Sequence, residues 1–466
     1  LQQTPVTSQV PHPQTGAHAV PIPSRRQWSA SLLTAAGVPL ILIAVFSVVS
    51  GRSTDLSADP VPRAAAVGDS PAARGGELSA EIQAHQKRLR EVPTDGLAWA
   101  QLSIPYIEQA RITADPSYYA KAQGALERSL QVKPDDNAEA MIGMGALANA
   151  RHDFAAGRDW GEKARAIRPD TAAVYGVLTD SYTQLGQADA ATDAAQHMLD
   201  LQPGVSSFTR ASYDLELHGR VADARTALQQ ALNGATMPAD VAFCRYYLGE
   251  LAFNSGQLDE AQKQYQAGIT AGEASPALEQ GLAKVAVARG NLDAGLSGYQ
   301  RLTQQLPLPQ YIAEYAELLT VAGRGAQAKA QLALLDAQQR LFAANGVTDD
   351  LTAATTQADL GDPAQAVTHA QAEWNHRHMI LAADALAWAL HTDGQDVAAL
   401  GYAEKAAALG YRNALFAYHR SMILKSLGRN TEAEQALSTA LQINPYFSPL
   451  HAPRARAALA QLRAAR

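Results

Sequence analysis

Glycine recurs through the second half of this chain at nearly fixed intervals. Gly186, Gly219, Gly256, Gly290, Gly323, Gly361, Gly394 and Gly428 are separated by 33, 37, 34, 33, 38, 33 and 34 residues. Such spacing requires many copies of one small unit rather than a single central core. Residues 175–203, "YGVLTDSYTQLGQADAATDAAQHMLDLQP", show what that unit is. Tyr175, Leu178 and Tyr182 lie on one face of a helix. Gly186 ends that helix, because glycine accepts the left-handed conformation at low cost. Ala191, Ala195, Met198 and Leu199 line one side of a second helix, which Pro203 stops. Pro169 sits 34 residues before Pro203. The unit is therefore helix, glycine turn, helix, proline turn. The two long intervals fit short insertions at "NGATMPAD" and "FAANGVTDD".

One such hairpin would leave a broad apolar face in water, so neighbouring copies must stack. The stretches "WAQLSIPY", "YGVLTDSY", "YYLGELAFNSGQLDEA" and "SLGRNTEAEQALSTALQINP" carry the ordered Trp/Tyr, Leu-Gly, Tyr, Ala and Pro positions of a 34-residue repeat. In these residues the chain resembles the tetratricopeptide repeat family, across roughly three-quarters of its length by the repeat period. Gly157 departs from the pattern, where alanine is expected, and the repeat around Gly361 is weak. The resemblance implies an all-α, right-handed solenoid of about ten helix-turn-helix repeats. It also implies a concave groove lined by the first helix of each hairpin. Projected onto this chain, that groove holds Asp180, Tyr213, Glu216, Tyr246, Glu250, Phe253, Lys284, Glu317, Asp384, Trp388, His391, Tyr418 and Lys425. The Lys/Asn set with which some members grip a peptide carboxylate is not recognisable, since Ala100 and Ile142 occupy its place in the first two repeats.

The N-terminal part has a different character. From Gln27 to Gly51 there is no charged residue. Residues 28–50, "WSASLLTAAGVPLILIAVFSVVS", are long enough to cross a bilayer of about 30 Å as a helix. Arg25 and Arg26 precede them, which by the positive-inside rule places the N-terminus in the cytoplasm. A cleaved signal peptide is the competing reading, but its apolar core is shorter, about 7–15 residues. The expected organisation is a disordered cytoplasmic tail over 1–27, a transmembrane helix over 28–50 and a flexible linker over 51–77. Repeats then follow over 78–449, entered by a helix from Ser79, and a capping helix over 450–466 closes them. Anchor, tether and repeats together resemble membrane-anchored tetratricopeptide proteins of actinobacteria.

Beyond the two arginines before the apolar segment, the chain carries 36 basic and 45 acidic residues, a balance of −9. That disfavours nucleic-acid binding, which needs a basic face to displace counterions. The lone Cys244 excludes an internal disulfide and reads as a small buried hydrophobe. The sequence has no phosphate loop of the GxxxxGK type, no HExxH and no CxxC. "GLSG" at residues 295–298 falls on a second helix, where a nucleophile elbow cannot form. His369, His376 and His378 come with no carboxylate forced close to them and no evident second shell, and they read as a solvated turn rather than a metal site. No cofactor is expected. The expectation is a non-catalytic scaffold, tethered to a membrane, that binds a protein or peptide in its groove. The alternative is an accessory or polymer-binding subunit of a cell-envelope assembly.

Overall fold

The computed structural model describes residues 71–271 and 275–465, which form 22 α-helices and, among the described residues, no strand. Helix α1 (Pro71–Glu91) leads into ten antiparallel hairpins. The first five are α2/α3 (Gly96–Thr113, Ser117–Val132), α4/α5 (Ala138–Ala150, Phe154–Ile167), α6/α7 (Ala172–Gln184, Ala188–Leu201), α8/α9 (Val205–Leu217, Val221–Gly234) and α10/α11 (Pro238–Asn254, Leu258–Thr270). The next five are α12/α13 (Pro276–Ala288, Leu292–Gln305), α14/α15 (Pro309–Val321, Gly325–Ala344), α16/α17 (Asp350–Leu360, Pro363–His376), α18/α19 (Ile380–Thr392, Asp396–Ala406) and α20/α21 (Ala414–Ser426, Asn430–Ile443). Helix α22 (His451–Ala464) covers the last hairpin with Ala452, Ala455, Ala458, Leu459 and Leu462. The all-helical repeat expected from the glycine spacing is present. Cys244 is fully buried, as a small hydrophobe would be.

The turns explain the spacing in detail. Gly186 has φ +71°. The Gln187 amide donates back to the Tyr182 carbonyl at 2.9 Å, which closes the helix end with a left-handed residue. The same bond recurs after Gly219, Gly256, Gly290, Gly323, Gly394 and Gly428, all at positive φ. Gly361 is the exception, with φ −127°. Pro363 follows two residues later and holds Asp362 extended, at φ −104° and ψ 116°. The Asp362 amide then binds the Gln357 side chain at 2.9 Å, and no left-handed residue is needed. In the fourth and fifth helices the turn uses His152 at φ 64° instead of glycine.

One expectation changes at the N-terminus. Helix α1 begins at Pro71, not Ser79, so the end of the expected linker is helical. Proline at a first helical position loses no hydrogen bond and presets φ, and the alanines after it favour continuation. The apolar segment 28–50 lies outside the described residues. Among the described residues, no helix is long and apolar enough to cross a membrane.

The hairpin array turns tightly enough to meet itself. The His152 Nδ1 lies 2.8 Å from the Thr348 carbonyl oxygen, 196 residues on. Gln184 accepts a bond from Arg377 at 2.9 Å. Gly186 abuts the His378 carbonyl, and Gly219 abuts that of Gly410. The Asn444 amide donates to the Phe253 carbonyl at 3.0 Å. In each case a glycine-type turn inside one hairpin meets the linker that follows the fifth hairpin further on. Apolar packing follows the same path, with Leu217 of α8 clustered with Met379, Leu381 and Tyr411. The concave side is therefore a closed interior over much of its length.

Candidate ligand-binding interior

The first helices α10, α12, α14, α16, α18 and α20 contribute side chains to one stretch of this interior. On α10, Tyr246, Glu250 and Phe253 share a face at helical spacings. Glu250 is buried, and Lys284 of α12 reaches it with Nζ–O distances of 2.6 and 2.7 Å. The Tyr265 hydroxyl adds a third bond at 2.6 Å. The Lys284 ammonium also sits 5.0 Å from the centre of the Phe253 ring, within cation–π range. Burial, and then the charge of Glu250, push the Tyr265 hydroxyl well above its usual range. It therefore stays a donor.

Two further carboxylates follow on α14. Glu314 accepts from Tyr299 at 2.8 Å and from Gln280 at 2.6 Å. Glu317 accepts from the Ser448 hydroxyl at 2.6 Å, and burial raises its carboxyl above the ordinary range. Asp359 of α16 accepts from the Trp388 indole at 2.7 Å and pairs with His451 at 2.9 Å. Asp384 of α18 pairs with His419 of α20 at 2.9 Å. The Trp388 ring stacks on His419 at 4.1 Å and stands edge-on to His451 at 5.5 Å.

Together these groups surround a cavity of about 480 Å³ between the first helices of hairpins five to ten and residues 445–456. Its size falls in the usual range for ligand sites, roughly 300–1,000 Å³. Four carboxylates line it: Glu314, Glu317, Asp359 and Asp384. Two cations line it as well, and both are engaged: Lys284 by Glu250, and Arg456 of α22, which donates to the Pro445 carbonyl at 2.8 Å. The rim includes Val321 and Tyr446, each 39% exposed.

Of the expected groove residues, Phe253, Lys284, Glu317, Asp384 and Trp388 line this cavity, and Glu250 lies directly beneath Lys284. Tyr246 is buried beside them and bonds Gln280 at 3.1 Å. Tyr418 is 2% exposed, packed between Trp388 and Phe447 in the core that α21 and α22 share with it, and is not among the residues lining the cavity. The rest are elsewhere. Asp180 is held by Arg210 at 2.7 and 2.8 Å. His391 pairs with Asp396, and Lys425 bonds Gln461 at 3.2 Å. Tyr213 and Glu216 sit on α8, outside this cavity. Burial, reinforced by the charge of Glu250, pushes the Glu216 carboxyl up to about 8. Its own surface is only partly covered, yet protein surrounds it within the array, and that enclosure governs its charge.

The histidine cluster disperses. His369 pairs with Asp350 at 2.8 Å, a carboxylate the sequence did not place near it. His376 is exposed, and His378 packs on Trp374. No group of three or more His, Cys, Asp or Glu is placed to hold a metal among the described residues. Sequence reasoning missed Gln310, Glu314, Asp359, His419 and His451. Glu314 was within reach, one turn before Glu317 on the same helix. His451 lies in the terminal helix, where repeat register offers no guide.

Residues 416–447, which take in most of the last hairpin, match the tetratricopeptide repeat profile. The repeat assignment is supported. No curated protein matches the chain. Among solved structures, the chain is similar to pilF of Pseudomonas aeruginosa, at 14% identity and TM-score 0.35, over 48% of this chain and 96% of that one. It is also similar to the Cut9–Hcn1 hetero-tetramer of APC/C, at 13% identity and TM-score 0.43, over 84% and 83% of the two chains. Yeast Tom70 is similar at 14% identity and TM-score 0.34, over 84% and 88%.

Proposed function

We propose that the protein is a non-catalytic binding scaffold that receives a partner protein or peptide segment in the interior lined by its first helices. The observation that carries this reading is convergence. Five residues from four first helices, Phe253 of α10, Lys284 of α12, Glu317 of α14, and Asp384 and Trp388 of α18, line one cavity. The volume suits anchoring side chains of a partner better than a long extended segment. Aromatic rings beside carboxylates suit a segment that is apolar and partly basic, and the −9 balance favours its approach at low salt. We further propose that residues 28–50 tether the scaffold to a membrane, with the repeats outside the cytoplasm.

The test of binding uses a captured partner. Phe253→Ala and Trp388→Ala should each weaken its binding by about 2 kcal/mol or more, with helicity unchanged by circular dichroism. Wild-type affinity in both variants would move the site away from this interior. For the tether, protease added to intact cells should degrade the repeats and spare the membrane segment. Protected repeats would reverse the orientation, and repeats released without protease would indicate a cleaved leader.

A further inference from the structure

Four residues that line the cavity each carry a buried polar atom with no hydrogen-bond partner: Asp384 Oδ1, His419 Nε2, His451 Nδ1 and Gln310 Oε1. The residues are 5%, 2%, 1% and 8% exposed. Leaving such atoms unpaired is costly, and native structures rarely tolerate several in one place. Their chemistry is uniform. Asp384 Oδ1 and Gln310 Oε1 are acceptors by nature. His419 gives Nδ1 to Asp384, and His451 gives Nε2 to Asp359. A neutral imidazole that donates one N–H to a carboxylate presents its other nitrogen as an acceptor. With both imidazoles neutral, all four orphaned atoms are acceptors, on residues that line a cavity bordered by the carboxylates of Glu314, Glu317, Asp359 and Asp384.

We propose that this cavity is an arginine-recognition site, which takes the guanidinium of an arginine side chain from the partner segment. It rests on the binding reading above and names the anchoring group. A guanidinium supplies five N–H donors in a planar fork and no acceptor, matching several acceptors spread around one space. It is also more weakly hydrated than an ammonium, so its transfer into a partly apolar cavity is easier. The stem of the side chain would lie against Val287 and Leu318 of the lining.

The experiment is calorimetric titration of the full chain with three acetylated, amidated five-residue peptides. Each has two leucines flanking a central arginine, citrulline or glutamate. Citrulline keeps the shape of arginine and loses the charge. Arginine should bind at least about tenfold more tightly than citrulline, as expected for charged hydrogen bonds in a buried site. Asp384→Asn should erase that preference. Gln310→Met, which removes one acceptor without touching a charge pair, should reduce it. Circular dichroism confirms that each variant folds. Equal binding of arginine and citrulline would overturn the proposal while leaving the interior as a peptide site. A preference for glutamate would show that the imidazoles act as donors and would overturn it too. If none of the peptides binds, both this proposal and the interior as a peptide site fall.

Discussion

Gly186 and His378 belong to different superhelical turns, yet a Cβ on Gly186 would lie 2.3 Å from the His378 carbonyl oxygen and 2.7 Å from its carbon. Glycine is required there twice, once for its backbone conformation and once for the approach of a distant chain segment. Gly290 has the same kind of left-handed conformation, with φ +84°, but nothing within 4 Å of its missing Cβ. Comparing the two separates the causes. Gly290→Ala should lower stability by about 1 kcal/mol, the cost of a left-handed alanine. Gly186→Ala should lose a further ~1–3 kcal/mol from overpacking against backbone. Urea midpoints of the two variants provide the measurement, and equal losses would mean that the turns do not touch in solution.

The Glu250–Lys284 pair sets a second expectation. Lys284→Met leaves a buried carboxylate that still accepts from the Tyr265 hydroxyl but has lost its ammonium partner. The loss should be about 3–5 kcal/mol, the usual effect of removing one partner of a buried pair. Adding Glu250→Gln to Lys284→Met should restore most of it, since the uncompensated charge then disappears. A double-mutant cycle by chemical denaturation reports the coupling, and additive losses would count against the pair.

Glu216 makes stability depend on pH. Its carboxyl is raised to about 8 in the folded chain from an ordinary value near 4.5. Between those values the folded form holds a proton that the unfolded form has released. Stability from this group is thus present in full below pH 4.5 and is lost as pH rises toward 8. Glu216→Gln should remove that slope. Denaturation at pH 5 and pH 8.5 should show the variant gaining on the wild type at the higher pH; a constant difference between them would place Glu216 in a more polar setting.

Asn444 tests the same closure from the other side. It is fully buried, donates to the Phe253 carbonyl and accepts from the Tyr446 amide at 2.8 Å. Asn444→Ala leaves that amide without its acceptor and should cost about 1–3 kcal/mol. Hydrogen exchange should quicken at the Gly256 turn, nearly 190 residues away by sequence (444 − 256 = 188), as well as near residue 446. Faster exchange confined to residues near 446 would separate the two edges.

Local order was legible because it depends on local residues. Glycine conformation, helical faces and proline stops all act within one repeat, so the hairpins could be read from positions such as Tyr175, Gly186 and Met198. Gly361 misled because Pro363 governs its turn from two residues away. The site was legible in part. Phe253, Lys284, Glu317, Asp384 and Trp388 followed from the groove positions that the repeat resemblance implies. Tyr418 has the same register but is covered by elements added after it. Gln310, His419 and His451 became partners of the cavity only through superhelical pitch. That pitch sums small rotations from every hairpin, and no single repeat encodes it.

The meeting of turns also carries a consequence in time. During synthesis, the edge at Gly186 emerges 192 residues before His378 (378 − 186 = 192). At ~5–20 residues per second, that edge waits on the order of ten to forty seconds for the segment that will cover it. Each early hairpin can form at once from its own sequence, but its outer rim, including Leu217 and the peptide groups around Gly186 and Gly219, stays wet until the late hairpins arrive. The growing chain is thus most exposed to wrong partners midway through its birth, and the late hairpins act as the companions its early half has been missing.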